Sequence, residues 1–156
     1  MKRITAIIAM MLAACIVSEA KIVLSRLVSD GMVMQQDTQA KVWGTATPGA
    51  QITVTPSWNG NTYRCKADSD GRWTVNVSTP EGSYKAYSMT VKGDGSSIRI
   101  NDILIGEVWL ASGQSNMEMP MRGFYNCPVE NALEYISAPA ATEKIRMFTV
   151  PVKQSY

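Results

Sequence analysis

A chain of 156 residues, 46% hydrophobic and 18% charged, has room for one ordinary domain, or for a small domain and part of another. That composition excludes a disordered polymer. The net charge is +2; once Lys2, Arg3 and Glu19 of the first 20 residues are set aside, 13 basic and 12 acidic residues remain, with no basic stripe to serve as a nucleic-acid footprint.

Residues 1–20 read as an export signal. Lys2 and Arg3 supply the positive start, Ile4 to Val17 the apolar run, and Ser18-Glu19-Ala20 the small residues at a cleavage site. The run is too short and too close to the terminus for a membrane-spanning helix. Leu12-Ala13-Ala14-Cys15 also fits a lipoprotein box, in which Cys15 would be lipidated. The expected destination is therefore outside the cytoplasm: periplasmic or secreted, with an outer-membrane lipoprotein as the variant. In that compartment a Cys65–Cys127 disulfide is permitted, but two cysteines make no framework. With no histidine anywhere, no metal-ligand spacing exists either.

From residue 21 to about 101, short runs rich in Val, Ile and Thr alternate with turn signals about every ten residues, which predicts a β-sandwich-like domain. The expected strands cover 21–28, 32–35, 41–45, 51–58, 62–67, 73–77, 84–91 and 97–100. Ile52, Val54 and Pro56 alternate with Thr53 and Thr55, the period of a half-buried strand. Asn59-Gly60 is expected in a tight hairpin with positive φ at both residues, and Pro48-Gly49, Asp70-Gly71 and Asp94-Gly95 are further turn dipeptides.

Near residue 102 the pattern changes. Residues 103–111 are almost continuously apolar, broken by Gly106 and Glu107, which suits a strand buried on both faces of a parallel sheet. A loop, Ser112-Gly113-Gln114-Ser115, follows. Residues 128–137 read as a helix with Pro128 in its first turn, and 144–150 as another strand. Strand, loop, helix and strand begin an α/β layer, but 55 residues from 102 to 156 amount to about one βαβ unit, so the layer is expected to be truncated.

Ser115 sits where an apolar strand gives way to a loop, a position nucleophiles favour in open α/β sheets. Gly113 would let the backbone approach a substrate closely, and the amides of Ser115 and Asn116 would face an oxyanion if a helix begins there. Met117 replaces the second glycine of a G-x-S-x-G elbow, so that hydrolase pattern does not apply. On pattern alone, a serine after Gly-Gln in a loop is more often a turn or N-cap residue than a nucleophile. Trp43, Trp58, Trp73 and Trp109 are expected mostly in the core, with Trp58 as the best candidate for an exposed aromatic; Met117, Met119 and Met121 are expected to pack or to line a pocket edge rather than to bind metal.

The stretch Gly106-Glu107-Val108-Trp109-Leu110-Ala111-Ser112-Gly113-Gln114-Ser115-Asn116-Met117-Glu118-Met119-Pro120 resembles the first sequence block of the sialate O-acetylesterase family, within the SGNH (GDSL-like) hydrolases. Leu27-Val28-Ser29-Asp30-Gly31-Met32-Val33-Met34-Gln35-Gln36 resembles the opening of that family's N-terminal β-domain. Val42-Trp43-Gly44, Pro48-Gly49, Asp70-Gly71-Arg72-Trp73 and Ile145-Arg146-Met147-Phe148 extend the likeness over nearly all of 24–150.

The resemblance implies a β-sandwich-like domain over 21–101 and the start of an SGNH-type α/β/α hydrolase domain over 102–156. It implies Ser115 as nucleophile, with its own N–H in the oxyanion hole, and Gly113, Gln114 and Asn116 shaping the substrate loop. It implies hydrolysis of acetyl esters on sialic acids or other glycans through an acyl-enzyme, without metal or organic cofactor. Glu118 is a weaker candidate base, since the family places its base elsewhere. The family's later blocks, including an Asp-x-x-His pair, have no counterpart here; without histidine, Ser115 lacks its proton acceptor, and the chain is expected to be an inactive N-terminal fragment on its own. The rival readings are a non-catalytic carbohydrate-binding or surface-interaction β-module, and a remnant of a truncated gene.

Overall fold

Strict alternation builds the β-domain. The chain is described by a computed structural model over residues 21–138 and 145–150. The export signal with Cys15 lies outside the described residues, as does Lys144 at the start of the last expected strand.

Eight strands form two sheets: β1 (Val23–Leu24), β2 (Val33–Gln35), β3 (Gln39–Thr45), β4 (Gln51–Pro56), β5 (Tyr63–Lys66), β6 (Arg72–Ser78), β7 (Ser83–Gly93) and β8 (Ser96–Gly106). The smaller sheet has the order β1-β3-β6 and the larger β2-β8-β7-β4-β5. All pairings within them are antiparallel except β2 with β8. Val42, Trp73, Val75 and Val77 from the small sheet share one core with Ile52, Val54, Met89, Val91 and Ile100 from the large one. The period of two explains why: in β4 and β6 every second residue is buried, and the residues between carry the polar side chains outward. Gly44 is set by packing, since a Cβ there would lie 2.2 Å from the Val23 carbonyl oxygen and 2.9 Å from the Trp73 ring.

The turns follow their dipeptides, with one correction. Thr47-Pro48-Gly49-Ala50 is a type II turn, closed by Ala50 N–H donating to the Thr47 carbonyl at 3.0 Å, with Gly49 at φ +81°. The hairpin with positive φ at both central residues is Asp94-Gly95, between β7 and β8. At Asn59-Gly60 only the glycine has positive φ; the Asn59 side chain accepts from Asn61 N–H instead, and the longer connection removes the need for a left-handed asparagine.

The change of pattern at residue 102 is a β-bulge. Tyr87 pairs with Ile103 and Met89 with Ile100, so β8 spends one residue more than β7 over that span. Asp102 takes up the extra residue at φ +54°, and inward positions resume at Ile103 and Ile105, both buried in the same core. The expected separate strand over 103–111 is therefore corrected: its first residues finish β8, and it stops at Gly106. Val108, Trp109 and Leu110 beyond it are exposed, Trp109 at 87%.

Past Gly106 the described elements are small: α1 (Ser115–Glu118), the hairpin β9 (Gly123–Phe124) with β10 (Cys127–Pro128), and α2 (Ala132–Ser137). The expected helix over 128–137 starts four residues late because Pro128 is held in β10 by its pairing with Gly123. Residues 145–150 carry no strand, having no neighbour to pair with among the described residues. Trp58, the best candidate for exposure among the tryptophans, is half-buried, its Nε1 donating to the Ser78 carbonyl at 2.8 Å and its ring meeting Tyr87 edge-on, whereas Trp109, expected to pack, is the most exposed of the four. Met117 and Met121, expected to pack or to line a pocket edge, are not packed but exposed.

Candidate functional site

The two sequence blocks that carry the family likeness meet where β8 ends. β2 lies parallel to the last turn-free stretch of β8, placing Gln35 opposite Gly106. Gln36 N–H donates to the Gly106 carbonyl at 2.9 Å. Beyond the ladder, the Glu107 carboxylate accepts from Gln35 Nε2 at 3.0 Å and from Gln36 Nε2 at 2.6 Å. Each glutamine then uses its oxygen: Gln35 Oε1 accepts from Val108 N–H at 2.9 Å, and Gln36 Oε1 from Gly82 N–H at 2.7 Å. The two amides thus have their orientation set, donors toward the carboxylate and acceptors toward backbone. Their hydrogen bonds, Gln35 first and then Gln36, hold the Glu107 carboxyl below the usual carboxylate range, against a smaller opposing effect of burial.

From this clamp an irregular run leads to Ser115, the first residue of the single helical turn α1. Met117 N–H donates to the Gln114 carbonyl at 2.9 Å and Met119 N–H to that of Ser115 at 3.0 Å. The first amides of a helical turn lack partners within it, so those of Ser115 and Asn116 lie on its open end. Gly113 is tightly placed, since a Cβ there would lie 3.1 Å from Met117 Cγ. Gly113, Gln114, Ser115, Asn116 and Glu118 are all exposed, and no side chain among the described residues hydrogen-bonds Ser115 Oγ. Gly113 and Gln114 lead directly into the turn that holds Ser115 and Asn116. Depressions lined by Asp37, Thr38, Gln39, Ser78 and Thr79, and by Arg122, Val129 and Leu133 among others, include none of them.

A second tie joins the C-terminal segment to the β-domain. Arg146 Nη2 pairs with Asp102 Oδ1 at 2.9 Å while Nη1 donates to the Asp102 carbonyl. On the other side of the bulge, Asn101 N–H donates to Asp30 Oδ1 at 2.6 Å and Gly31 N–H to the Asn101 carbonyl at 3.1 Å. Glu107, Gln35, Gln36 and Arg146 carry no functional signal in their residue types; their one signal is membership of the blocks that carry the resemblance, and Asp102 lies outside those blocks.

Among the described residues no three His, Cys, Asp or Glu side chains gather as metal ligands, and no helix is long and apolar enough to cross a membrane. Cys65 and Cys127 are free thiols, and burial pushes the Cys65 thiol up.

No family model matches the chain. Among curated proteins it is similar to the sialate O-acetylesterase of Mus musculus, 34% identical over 132 residues, or 80% of this chain and 24% of that protein. The human sialate O-acetylesterase is 33% identical over 132 residues, covering 79% of this chain and 24% of the relative. Among solved structures, a carbohydrate acetylesterase from Xanthomonas citri superposes with a TM-score of 0.58 at 39% identity, over 65% of this chain and 23% of that one. The chain spans about a quarter of the length of the relatives it matches. By this similarity over four-fifths of its residues, the chain belongs to the sialate O-acetylesterase family.

Proposed function

We propose that this chain supplies the β-domain and the nucleophile loop of an exported esterase that removes O-acetyl groups from sialic acids or related sugars. The similarity to sialate O-acetylesterases across four-fifths of the chain carries the reading. In it, Ser115 Oγ attacks the acetyl carbonyl carbon and its proton passes to a base. The amides of Ser115 and Asn116 stabilise the oxyanion, the sugar leaves as an alcohol, and water then hydrolyses the acetyl-enzyme to acetate. Gly113 and Gln114 shape the sugar-facing loop. An open helical turn directly after a strand-exit loop supports this assignment, because it leaves Oγ accessible. The chain contains no histidine, so a Ser-His pair needs a residue outside these 156, in the rest of an SGNH-type α/β layer that the residues after Gly106 begin. Residues 1–20 direct export, with Cys15 as the alternative lipid anchor.

The test is acetate release from O-acetylated sialic acid by the product of the complete reading frame and by its Ser115→Ala variant. The proposal expects a loss of at least about a thousandfold in kcat with sugar binding retained. Acetate release unaffected by the substitution would remove Ser115 from the mechanism, and binding without any hydrolysis by the unsubstituted protein would favour the carbohydrate-binding module.

A further inference from the structure

The exit of the chain from the β-domain is held by side chains rather than by the strand ladder alone. β8 ends at Gly106, and Ser115 lies nine positions later with an irregular run between them. An irregular run of that length transmits a direction only if its first residues are held. Here they are held at Glu107 and Val108. The Glu107 carboxylate takes one hydrogen bond from each of two adjacent glutamines, Gln35 at the end of β2 and Gln36 just beyond it, and Gln35 Oε1 accepts one from Val108 N–H. Gln36 reaches further, to Gly82 N–H just before β7. The arrangement therefore ties the start of the serine loop to β2 and to the segment entering β7.

The donor pattern is specific. Both glutamine oxygens are committed to backbone N–H groups, so both amide nitrogens must face position 107. They reach its two different ends, Gln35 Nε2 at Oε2 and Gln36 Nε2 at Oε1, so both ends must accept. A glutamine at 107 has the same shape but offers one accepting oxygen and one donating nitrogen, which leaves a donor facing a donor. A carboxylate is thus required by the geometry, although the residue is exposed and touches no residue of the serine turn.

We infer that Glu107 is a positioning residue, which through Gln35 and Gln36 aims residues 108–115 out of the sheet and so sets the placement of Ser115. The inference deepens the acetylesterase reading and depends on it only for its kinetic arm.

The experiment compares wild type, Glu107→Gln and the exchanged pair Gln35→Glu with Glu107→Gln, which restores one accepting carboxylate between the two sites. Hydrogen exchange on the 156-residue chain reads the clamp. Glu107→Gln is expected to speed exchange at Val108 and Gly82 by about tenfold while Val91 and Ile100 keep wild-type protection, and the exchanged pair to recover it. Kinetics on the product of the complete reading frame read the consequence. Here kcat is expected to fall about tenfold with KM within about twofold, and to recover in the exchanged pair. Unchanged exchange at Val108 overturns the clamp, and an unchanged kcat overturns the positioning role. If Ser115→Ala itself still releases acetate, the nucleophile assignment has failed instead, and exchange alone judges the hold of Glu107 on the exit.

Discussion

Arg146 reaches back to Asp102, with Nη2 2.9 Å from Oδ1 and Nη1 on the backbone carbonyl of the same residue. The residue that forms the bulge of β8 is therefore also the anchor for the segment 145–150. Asp102 is left-handed at φ +54°, and that conformation turns its carbonyl out of the ladder, where a guanidinium can use both its oxygens at once.

Arg146→Ala is expected to release residues 145–150 with little effect on global stability. The pair is partly exposed, 26% at Arg146 and 59% at Asp102, so its contribution is about 0.5 kcal/mol after solvent screening. Chymotryptic cleavage after Phe148 should accelerate while the urea midpoint stays nearly constant. A large drop in the midpoint would mean that the segment stabilises the β-domain cooperatively.

The continuity of β8 through its bulge makes Ile103 a core residue of the sandwich. Ile103→Ala and Ile100→Ala should each cost about 2–5 kcal/mol in a single cooperative unfolding transition, since both side chains are buried in one cluster. A second transition sensitive only to Ile103 would instead separate the residue from the β-domain.

Gly44 is fixed by contact rather than by backbone angle. A methyl group there meets the Val23 carbonyl oxygen and the Trp73 ring, so Gly44→Ala must part β1 from β3 or displace a buried tryptophan. The expected loss is about 1–3 kcal/mol by denaturant unfolding. A variant as stable as the parent would show that β1 detaches freely.

Asp94 couples the β7–β8 hairpin to the Pro48-Gly49 turn. Its Oδ2 accepts from Thr47 Oγ1 at 2.6 Å and from Thr47 N–H at 3.0 Å, and these bonds, in that order, hold its carboxyl below the ordinary value of 3.8 against a smaller effect of burial. A depressed folded-state pKa contributes stability that is present above the unfolded value and is lost as pH falls through the folded one. Thermal melts from about pH 6 to about pH 3 should show an acid limb that Asp94→Asn flattens. An identical limb in the variant would assign the acid sensitivity to other carboxylates.

Trp109, Leu110, Leu133 and Met147 are more than four-fifths exposed in the described structure. Residues 21–156 expressed alone are expected to bind a hydrophobic dye and to associate with rising concentration, because large exposed apolar side chains are costly in water. A monodisperse preparation at all concentrations, with a sharp melt, would count against this.

Much of the β-domain was legible in the residues, because strand alternation and turn dipeptides are local. The inward sets in β4 and β6 and the turns at Pro48-Gly49 and Asp94-Gly95 stand where the pattern puts them. The errors came where a local signal had two meanings. Asn101-Asp102 breaks the alternation as a domain boundary would, yet here the break is one extra residue in a continuous strand. The apolar run after Gly106 had the composition of a buried strand but found no sheet to enter among the described residues.

By itself, then, the sequence determined the strand faces, the turn positions and, through its resemblance, the family and the candidate serine. Those depend on neighbours a few residues apart, or on a motif read residue by residue. The closing of Gln35 and Gln36 on Glu107, and of Arg146 on Asp102, came from packing of the folded chain. These partners are 72, 71 and 44 residues apart, and no periodicity in a one-dimensional chain encodes which distant donor meets which acceptor. That choice is made when β2 pairs with β8 inside one sheet, and when the segment 145–150 folds back onto the bulge of β8.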